Sequence, residues 1–304
     1  MTSFLISIDM KKTLISVIVP FYKGVDWLCE AIDSVFNQTY GDFEIIVVND
    51  GSKEDMTSFT KKYGDKIIYK YQENQGAAVA RNNAIALAKG DYIALLDSDD
   101  IWLPHKTEQQ IAFMEETGAM WSHTGAWYWY PESNKFSKVK NQKDYGYIFE
   151  QFMTSVRIQT PCVIVKRQAL IDNPSIIFPP ELRKGQDTAF FKALSHVYPI
   201  AYLEEPLVKI RMREGISHTL AIVRFNLKAK YYQELKEING IPKTILFIHK
   251  IYYNYCKIFG TKTTPIKELI AKCFWTLPYC LERIYIKIIA HKLPEDEKYI
   301  KRVN

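Results

Sequence analysis

The sequence predicts an α/β fold, with a mostly parallel central sheet covered by helices and a helical extension toward the C-terminus. Three observations predict it. Apolar runs and amphipathic segments alternate between residues 14 and 97. The runs are continuous rather than alternating, as in strands buried on both faces. Two of them end on an acid, Asp50 and Asp97, and ligands of parallel sheets gather at the carboxyl ends of strands.

Taken in order, "LISVIVP" (14–20) reads as the first buried strand. "VDWLCEAIDSVFNQ" (25–38) is an amphipathic helix with Leu28, Ile32, Val35 and Phe36 inward. "FEIIVVND" (43–50) is the second strand and "MTSFTKKY" (56–63) a short helix. "KIIYKY" (66–71) is a third strand, "GAAVARNNAIALAKG" (76–90) a helix, and "DYIALLD" (91–97) a fourth strand. The helix "KTEQQIAFMEE" (106–116) precedes an aromatic strand, "MWSHTGAWYWY" (120–130). "TPCVIVKRQAL" (160–170) is a strand running into a helix, and "QDTAFFKALSHV" (186–197) is a helix. "PLVKIRMR" (206–213) is a strand, followed by a Gly-containing loop, "REGISHT" (213–219). From about residue 220 the pattern is helical, and no repeat or low-complexity linker interrupts the chain. The expected division is an α/β unit over 1–218 and a helical extension over 219–304.

With 304 residues, 47% of them hydrophobic, the chain can bury one large core or two modest ones. The five cysteines are odd in number and form no CxxC pair, which argues against a disulfide framework or a zinc site and suits a reducing compartment. The opening "MTSFLISIDMKK" lacks the pattern of a secretion signal, and Met10 is a candidate start that would leave 1–9 as a leader. No window reaches the roughly 18 uncharged apolar residues of a membrane span. Net charge is +6, but residues 219–304 hold 16 Lys and Arg against 7 Asp and Glu, and the remainder 24 against 27. A slightly acidic body with a basic extension implies an anionic surface as partner, and no nucleic acid is expected.

In "YIALLDSDDIWLP" (92–104) an apolar strand runs into Asp97, Ser98, Asp99 and Asp100. An acidic turn capping the next helix is the plain reading. Against it, the acids sit at a defined strand end, Asp50 ends another strand of the same sheet, and no basic cluster adjoins them in sequence. A hard divalent cation held by one or two carboxylates and phosphate oxygens answers the charge. Neither a GxGxxG fingerprint nor a P-loop is present, since Gly76 completes neither pattern.

With "VIVPFYKG", "VVNDGS", "GAAVARNNAI" and "LLDSDD" in this order and spacing, the chain resembles family-2 glycosyltransferases of the GT-A fold, particularly bacterial O-antigen and polysaccharide enzymes. The resemblance covers about 17–105 and extends more weakly to about 218. It implies a nucleotide-sugar half over 13–105 and an acceptor half over 106–218. It also implies that Pro20 and Tyr22 line the base pocket, that Asp50 hydrogen-bonds the nucleoside and that Arg81 lies near the nucleotide. Asp97 would contact the ribose or a metal-bound water, and Asp99 would ligate Mn²⁺ or Mg²⁺ bridging the diphosphate. In "KGQDTAFF", Asp187 matches the family's general base, with Gln186 in place of the usual Glu. Arg211 or His218 would touch the diphosphate, and Trp102 and Gln186 are candidates for the acceptor side.

Each residue has a plainer reading: Tyr22 as a packing aromatic, Arg81 paired with an acid, Asp187 as a first-turn Asp, His218 as a surface histidine and Trp102 as core. The expected reaction is inverting transfer of a hexose from a UDP-sugar to a lipid-diphosphate-linked saccharide at the cytoplasmic membrane face. A sugar nucleotidyltransferase or a non-catalytic carbohydrate-binding protein is the alternative.

Overall fold

The computed structural model describes residues 13–139, 144–149, 158–212, 243–260 and 297–301, with isolated positions between 228 and 284. The first half alternates as its sequence dictates: β1 (Leu14–Phe21), α1 (Val25–Phe36), β2 (Asp42–Asp50), α2 (Thr57–Tyr63), β3 (Ile68–Gln72), α3 (Ala77–Leu87) and β4 (Tyr92–Leu95). β5 (Ile101–Trp102), α4 (Lys106–Thr117), β6 (Trp121–Tyr130) and β7 (Lys135–Lys138) follow. Then come β8 (Val163–Lys166), α5 (Arg167–Asp172), α6 (Gln186–Val197), β9 (Ile200–Arg211), α7 (Lys243–Phe259) and β10 (Ile300–Lys301).

One ten-stranded sheet runs in the order β10-β9-β6-β8-β4-β1-β2-β3, with β5 on β9 and β7 on β6. β3, β2, β1 and β4 are mutually parallel. β6, β9 and β10 are parallel again, and β8 joins the two halves by antiparallel pairing with β4 and β6. The chain moves outward from β1 through β2 to β3 and returns by α3 to β4 on the other side of β1. That reversal opens a crevice above the carboxyl ends of β1 and β4, where open sheets bind ligands.

Burial follows the two-residue period of a strand. Ile15, Val17, Val19 and Phe21 of β1 share one core with Leu28, Ile32 and Val35 of α1 and with Ile111 and Met114 of α4. Ile18, Ile46 and Val48 face the other way, onto Ala78, Ala80 and Ala84 of α3 and Phe190, Phe191 and Leu194 of α6. Each fully buried side chain of this size stabilises by about 1.5–3 kcal/mol. Phe36 departs from expectation: it is 45% exposed and stacks on Tyr63 at 6.1 Å.

β9 starts six residues earlier than its hydrophobic run suggests. Glu204-Glu205-Pro206 looks like a turn, yet the strand continues through it beside a bulge in β6, where the register shifts on both sides of Gly125. Pro206, opposite Gly125, is tolerated because a bulge leaves its missing N–H without a ladder partner. β7 was also hidden, since its hairpin depends on Asn134 at φ 46.

The C-terminal extension is not a detached tail. Ile300–Lys301 pair with Tyr202–Leu203 at the sheet edge. In α7, helical spacing puts Ile245, Ile248, Tyr252, Tyr255 and Phe259 on one face, a stripe that the sequence offers to a headgroup layer. Ile245, Ile248, Tyr252 and Tyr255 are buried, so that face is not available to lipid. A second apolar stripe at helical spacing, Leu277, Leu281, Ile284, Tyr285 and Ile288, lies mostly outside the described residues, as does the 213–219 loop. No helix among the described residues is long and apolar enough to cross a membrane.

Candidate active site

A cavity of about 390 Å³ fills the crevice. Its walls come from the end of β1 (Pro20 to Lys23), the end of β2 (Asp50), the start of α3 with its preceding loop (Asn74 to Ala78, and Arg81), the turn after β4 (Asp97 to Asp99), and Leu182, Arg183 and Gln186 before and at the start of α6. The sequence motifs thus meet in one place, because each lies at the carboxyl end of a neighbouring parallel strand.

Pro20 and Tyr22 stand on this wall, Tyr22 with 53% of its surface open. The loop that carries Tyr22 is fixed from behind. Glu54 accepts hydrogen bonds from the backbone N–H groups of Gly24 and Val25, both at 2.8 Å, which caps the start of α1.

Asp50 is buried and already well bonded. Its Oδ1 accepts from Gln72 Nε2 and the Gln75 N–H, both at 2.8 Å, and its Oδ2 from the Gly76 N–H at 2.9 Å. Asn74 Nδ2 donates to its carbonyl at 3.1 Å. The carboxylate therefore shapes the loop that forms this wall of the cavity, with acceptor capacity left for one more donor.

The acids after β4 have protein partners that the sequence did not reveal. Arg81 Nη2 lies 2.6 Å from Asp97 Oδ1, and the arginine is buried; its guanidinium also packs 5.3 Å from the Phe178 ring. Asp100 is buried and accepts the Arg211 N–H at 2.9 Å. Burial, reinforced by the charges of Asp97 and Asp99, holds its carboxyl well above the usual carboxylate range. The turn itself closes through the Asp100 N–H to Asp97 carbonyl bond at 3.1 Å. No basic residue adjoins these acids in sequence, but two arginines reach them in space.

Asp97 and Asp99 both line the cavity and supply hard oxygen ligands. Among the described residues no group of three His, Cys, Asp or Glu converges to make a closed cage. A divalent cation fits on one condition, that phosphate oxygens and water complete its shell, which is the habit of Mg²⁺ sites.

Two expected site residues, Arg211 and Trp102, are enclosed elsewhere, and Asp187 is not among the residues that line the cavity. Arg211 does not line the cavity: it bonds Glu30, donates from Nε to the Asp99 carbonyl at 3.0 Å, and lies between the rings of Trp27 and Trp129 at 5.5 and 4.6 Å. It braces the acidic turn from behind. Trp102 is 2% exposed, donates from Nε1 to the Pro161 carbonyl at 2.9 Å, and is covered by Lys106 Nζ at 3.8 Å. A ring so enclosed cannot stack on a sugar. His218 lies outside the described residues.

α6 begins after Gly185, whose φ of 75 is a left-handed conformation. Gln186 lines the cavity. Asp187, partly exposed, follows directly in the first turn, where the helix dipole favours a carboxylate, and accepts the Thr188 N–H at 2.8 Å. The segment ahead of α6 is tied to α3. Asn82 donates to the Phe178 carbonyl at 2.7 Å and accepts the Phe178 N–H at 3.0 Å, while Phe178 stacks on Phe190 at 4.1 Å. Helix α3 thus joins the acidic turn to the helix that carries Asp187. Lys23 and Arg183 also line the cavity; Lys23 lies inside "VIVPFYKG" without having been singled out, and the signal for Arg183 was the basic pair in "LRKGQD" just before α6.

Comparison with known proteins gives the family and the fold. The profile described as Glycosyl transferase family 2 matches residues 16–172. The chain is 34% identical over 266 residues to an uncharacterized glycosyltransferase of Rickettsia bellii, covering 86% of this chain and 37% of that protein. It is 29% identical over 245 residues to the putative teichuronic acid biosynthesis glycosyltransferase TuaG of Bacillus subtilis, covering 78% and 94%. The first curated relatives it matches are longer, and the chain spans about a third of their length. Residues 1–349 of S. aureus TarS, solved with UDP-GlcNAc, share the GT-A fold: TM-score 0.62, 21% identity, 84% of this chain and 79% of that one.

Proposed function

The chain belongs to glycosyl transferase family 2, and on that premise we propose that it moves a hexose, glucose or galactose, from a UDP-sugar to a saccharide carried on a lipid diphosphate. The observation that carries this reading is the single cavity bounded on one side by Tyr22, Asp50 and Asp99 and on the other by Gln186 at the start of α6. It offers a place for a nucleotide, an acidic edge for a diphosphate–cation pair, and an adjacent carboxylate for the acceptor.

In this proposal Asp187 takes the proton of the acceptor hydroxyl as that oxygen bonds the anomeric carbon and the carbon–diphosphate bond breaks. Attack opposite the leaving group inverts the centre, so an α-linked donor gives a β-glycoside. Asp99, with Asp97 held by Arg81, would bind Mn²⁺ or Mg²⁺, which when present takes up charge on the leaving diphosphate. Residues 1–218 are the proposed catalytic unit. The lipid acceptor and the basic extension favour work at an anionic membrane surface, and the TuaG likeness favours cell-surface polysaccharide assembly.

Radiolabel transfer from a panel of nucleotide sugars, followed by NMR of the product anomeric proton, tests the proposal. Transfer with a β product from an α donor is expected. An α product removes the single displacement, and formation of nucleotide sugar from sugar phosphate would make the protein a nucleotidyltransferase instead.

A further inference from the structure

A donor diphosphate needs cationic partners, and of the two first expected Arg211 is enclosed by Trp27, Trp129 and Glu30, while His218 lies outside the described residues. Among the described residues three cations line the cavity: Lys23, Arg81 and Arg183. Arg81 is committed to Asp97 at 2.6 Å. We propose that Arg183, assisted by Lys23, is the diphosphate ligand of the donor site, an inference that rests on the glycosyl-transfer reading above.

Neither Lys23 nor Arg183 forms an ion pair with an acid among the described residues, so both can meet an incoming anion. Arg183 does not simply trail into solvent. A Cβ built on Gly76 would lie 2.8 Å from Arg183 Nη1, so the guanidinium reaches from the segment before α6 across to bare backbone at the start of α3. Gly76 has φ +96, and its missing side chain leaves the space the guanidinium occupies. Around that point the cavity wall changes from the Asp50-ordered loop to the Arg183 segment. The nucleoside wall and the base-bearing helix therefore meet at this arginine.

The chemistry suits the position. A guanidinium presents parallel N–H donors that match two oxygens of a phosphate, and charge-assisted bonds of this kind are short and strong. The segment from Leu182 is tied back by its N–H to the Pro179 carbonyl at 3.1 Å, so less chain order has to be gained on binding. Arg183 precedes Asp187 by one turn of chain, and a diphosphate held there also fixes the helix start that carries the base.

Calorimetric titration of the full chain with UDP, UMP and uridine, each in chelator and in Mn²⁺, tests the inference. Wild type is expected to bind UDP more tightly than UMP. Arg183→Ala should weaken UDP binding by about tenfold to a hundredfold, leave uridine affinity unchanged, and keep the wild-type melting temperature. Arg183→Lys, which keeps the charge and loses the fork, should fall between the two, and Lys23→Ala should show a smaller loss. UDP affinity equal to wild type in Arg183→Ala overturns the proposal and leaves the arginine a solvated loop residue. Equal losses for UDP and uridine also overturn it, since the residue would then shape the pocket. If wild type does not bind UDP even in Mn²⁺, the UDP-sugar reading itself fails and this inference with it.

Discussion

Asp99→Asn keeps the volume of a side chain on the cavity wall and removes a hard anionic ligand. Its kcat should fall at least about a hundredfold, while the melting temperature stays put. Full activity in excess chelator would remove the metal role. Asp187→Asn should instead spare nucleotide-sugar affinity and lower transfer by about 10²–10⁴-fold; parallel loss of donor binding would make Asp187 a donor-site residue. A third residue tests burial rather than catalysis. Lys106 is wholly buried, its Nζ has no hydrogen-bond partner and rests over Trp102. Burial brings its ammonium down to about 7. Between that value and its unfolded value, about 10.4, the unfolded chain holds a proton the folded one lacks, so stability rises with pH across the window. Lys106→Met should therefore stabilise by about 1–3 kcal/mol near pH 6, less the lost cation–π contact, and the gain should shrink toward pH 10. Thermal melts at both ends decide it; a constant gain at every pH would mean that packing alone explains it. The candidate residues differ in how far sequence could place them. Asp50 was legible because it closes β2, and Asp97 and Asp99 because they follow the buried end of β4 within four residues. The Arg81–Asp97 pair joins two motifs that sequence lists separately. Arg183 lies in a segment without periodicity, so nothing local marks it as a cavity residue.

Elements show the same division. α1 and α3 were legible from their apolar faces, and β1, β2 and β4 from continuous apolar runs, because local pattern and tertiary burial agree there. β9 was cut short because its stability comes from pairing with β6 across a bulge rather than from its own sequence. Gly125 is where that pairing is decided. A Cβ there would lie 2.4 Å from the Glu204 carbonyl oxygen and 3.0 Å from that of Glu205, both backbone atoms that cannot swing aside. Gly125→Ala should force the strands apart and cost about 2–3 kcal/mol, lowering Tm by several degrees. Because β9 ends at Arg211, which braces the acidic turn through the Asp99 carbonyl and Asp100, donor affinity should fall as well. A variant with wild-type Tm would mean that the bulge can take up a methyl group and that close backbone approach at Gly125 does not hold β9 in place.

At the scale of the molecule, the basic extension raises the question of what it touches. Its end returns to the sheet through β10, so truncation would damage the fold edge as well as remove charge. The apolar stripe of α7 is buried, which leaves the opposite face. There Lys243, Phe247, Lys250, Lys257 and Ile258 are exposed, Phe247 by 59% and Ile258 by 73%, and the helix carries no Asp or Glu. Three lysines beside two large apolar groups suit an anionic headgroup layer, where each cation contributes roughly 1 kcal/mol and the apolar groups add shallow insertion. Attachment of that size is reversible and salt-sensitive, which suits the lipid-linked acceptor proposed above. Full-length protein should co-sediment with vesicles containing phosphatidylglycerol at low ionic strength and release as salt rises. Lys250→Glu with Phe247→Ser should abolish binding without changing Tm, because both side chains are exposed. Ile248→Ser, on the buried face, should lower Tm instead. Protein that ignores anionic vesicles at low salt would leave this face a solvated surface, and the lipid-linked acceptor would lose its main physical support.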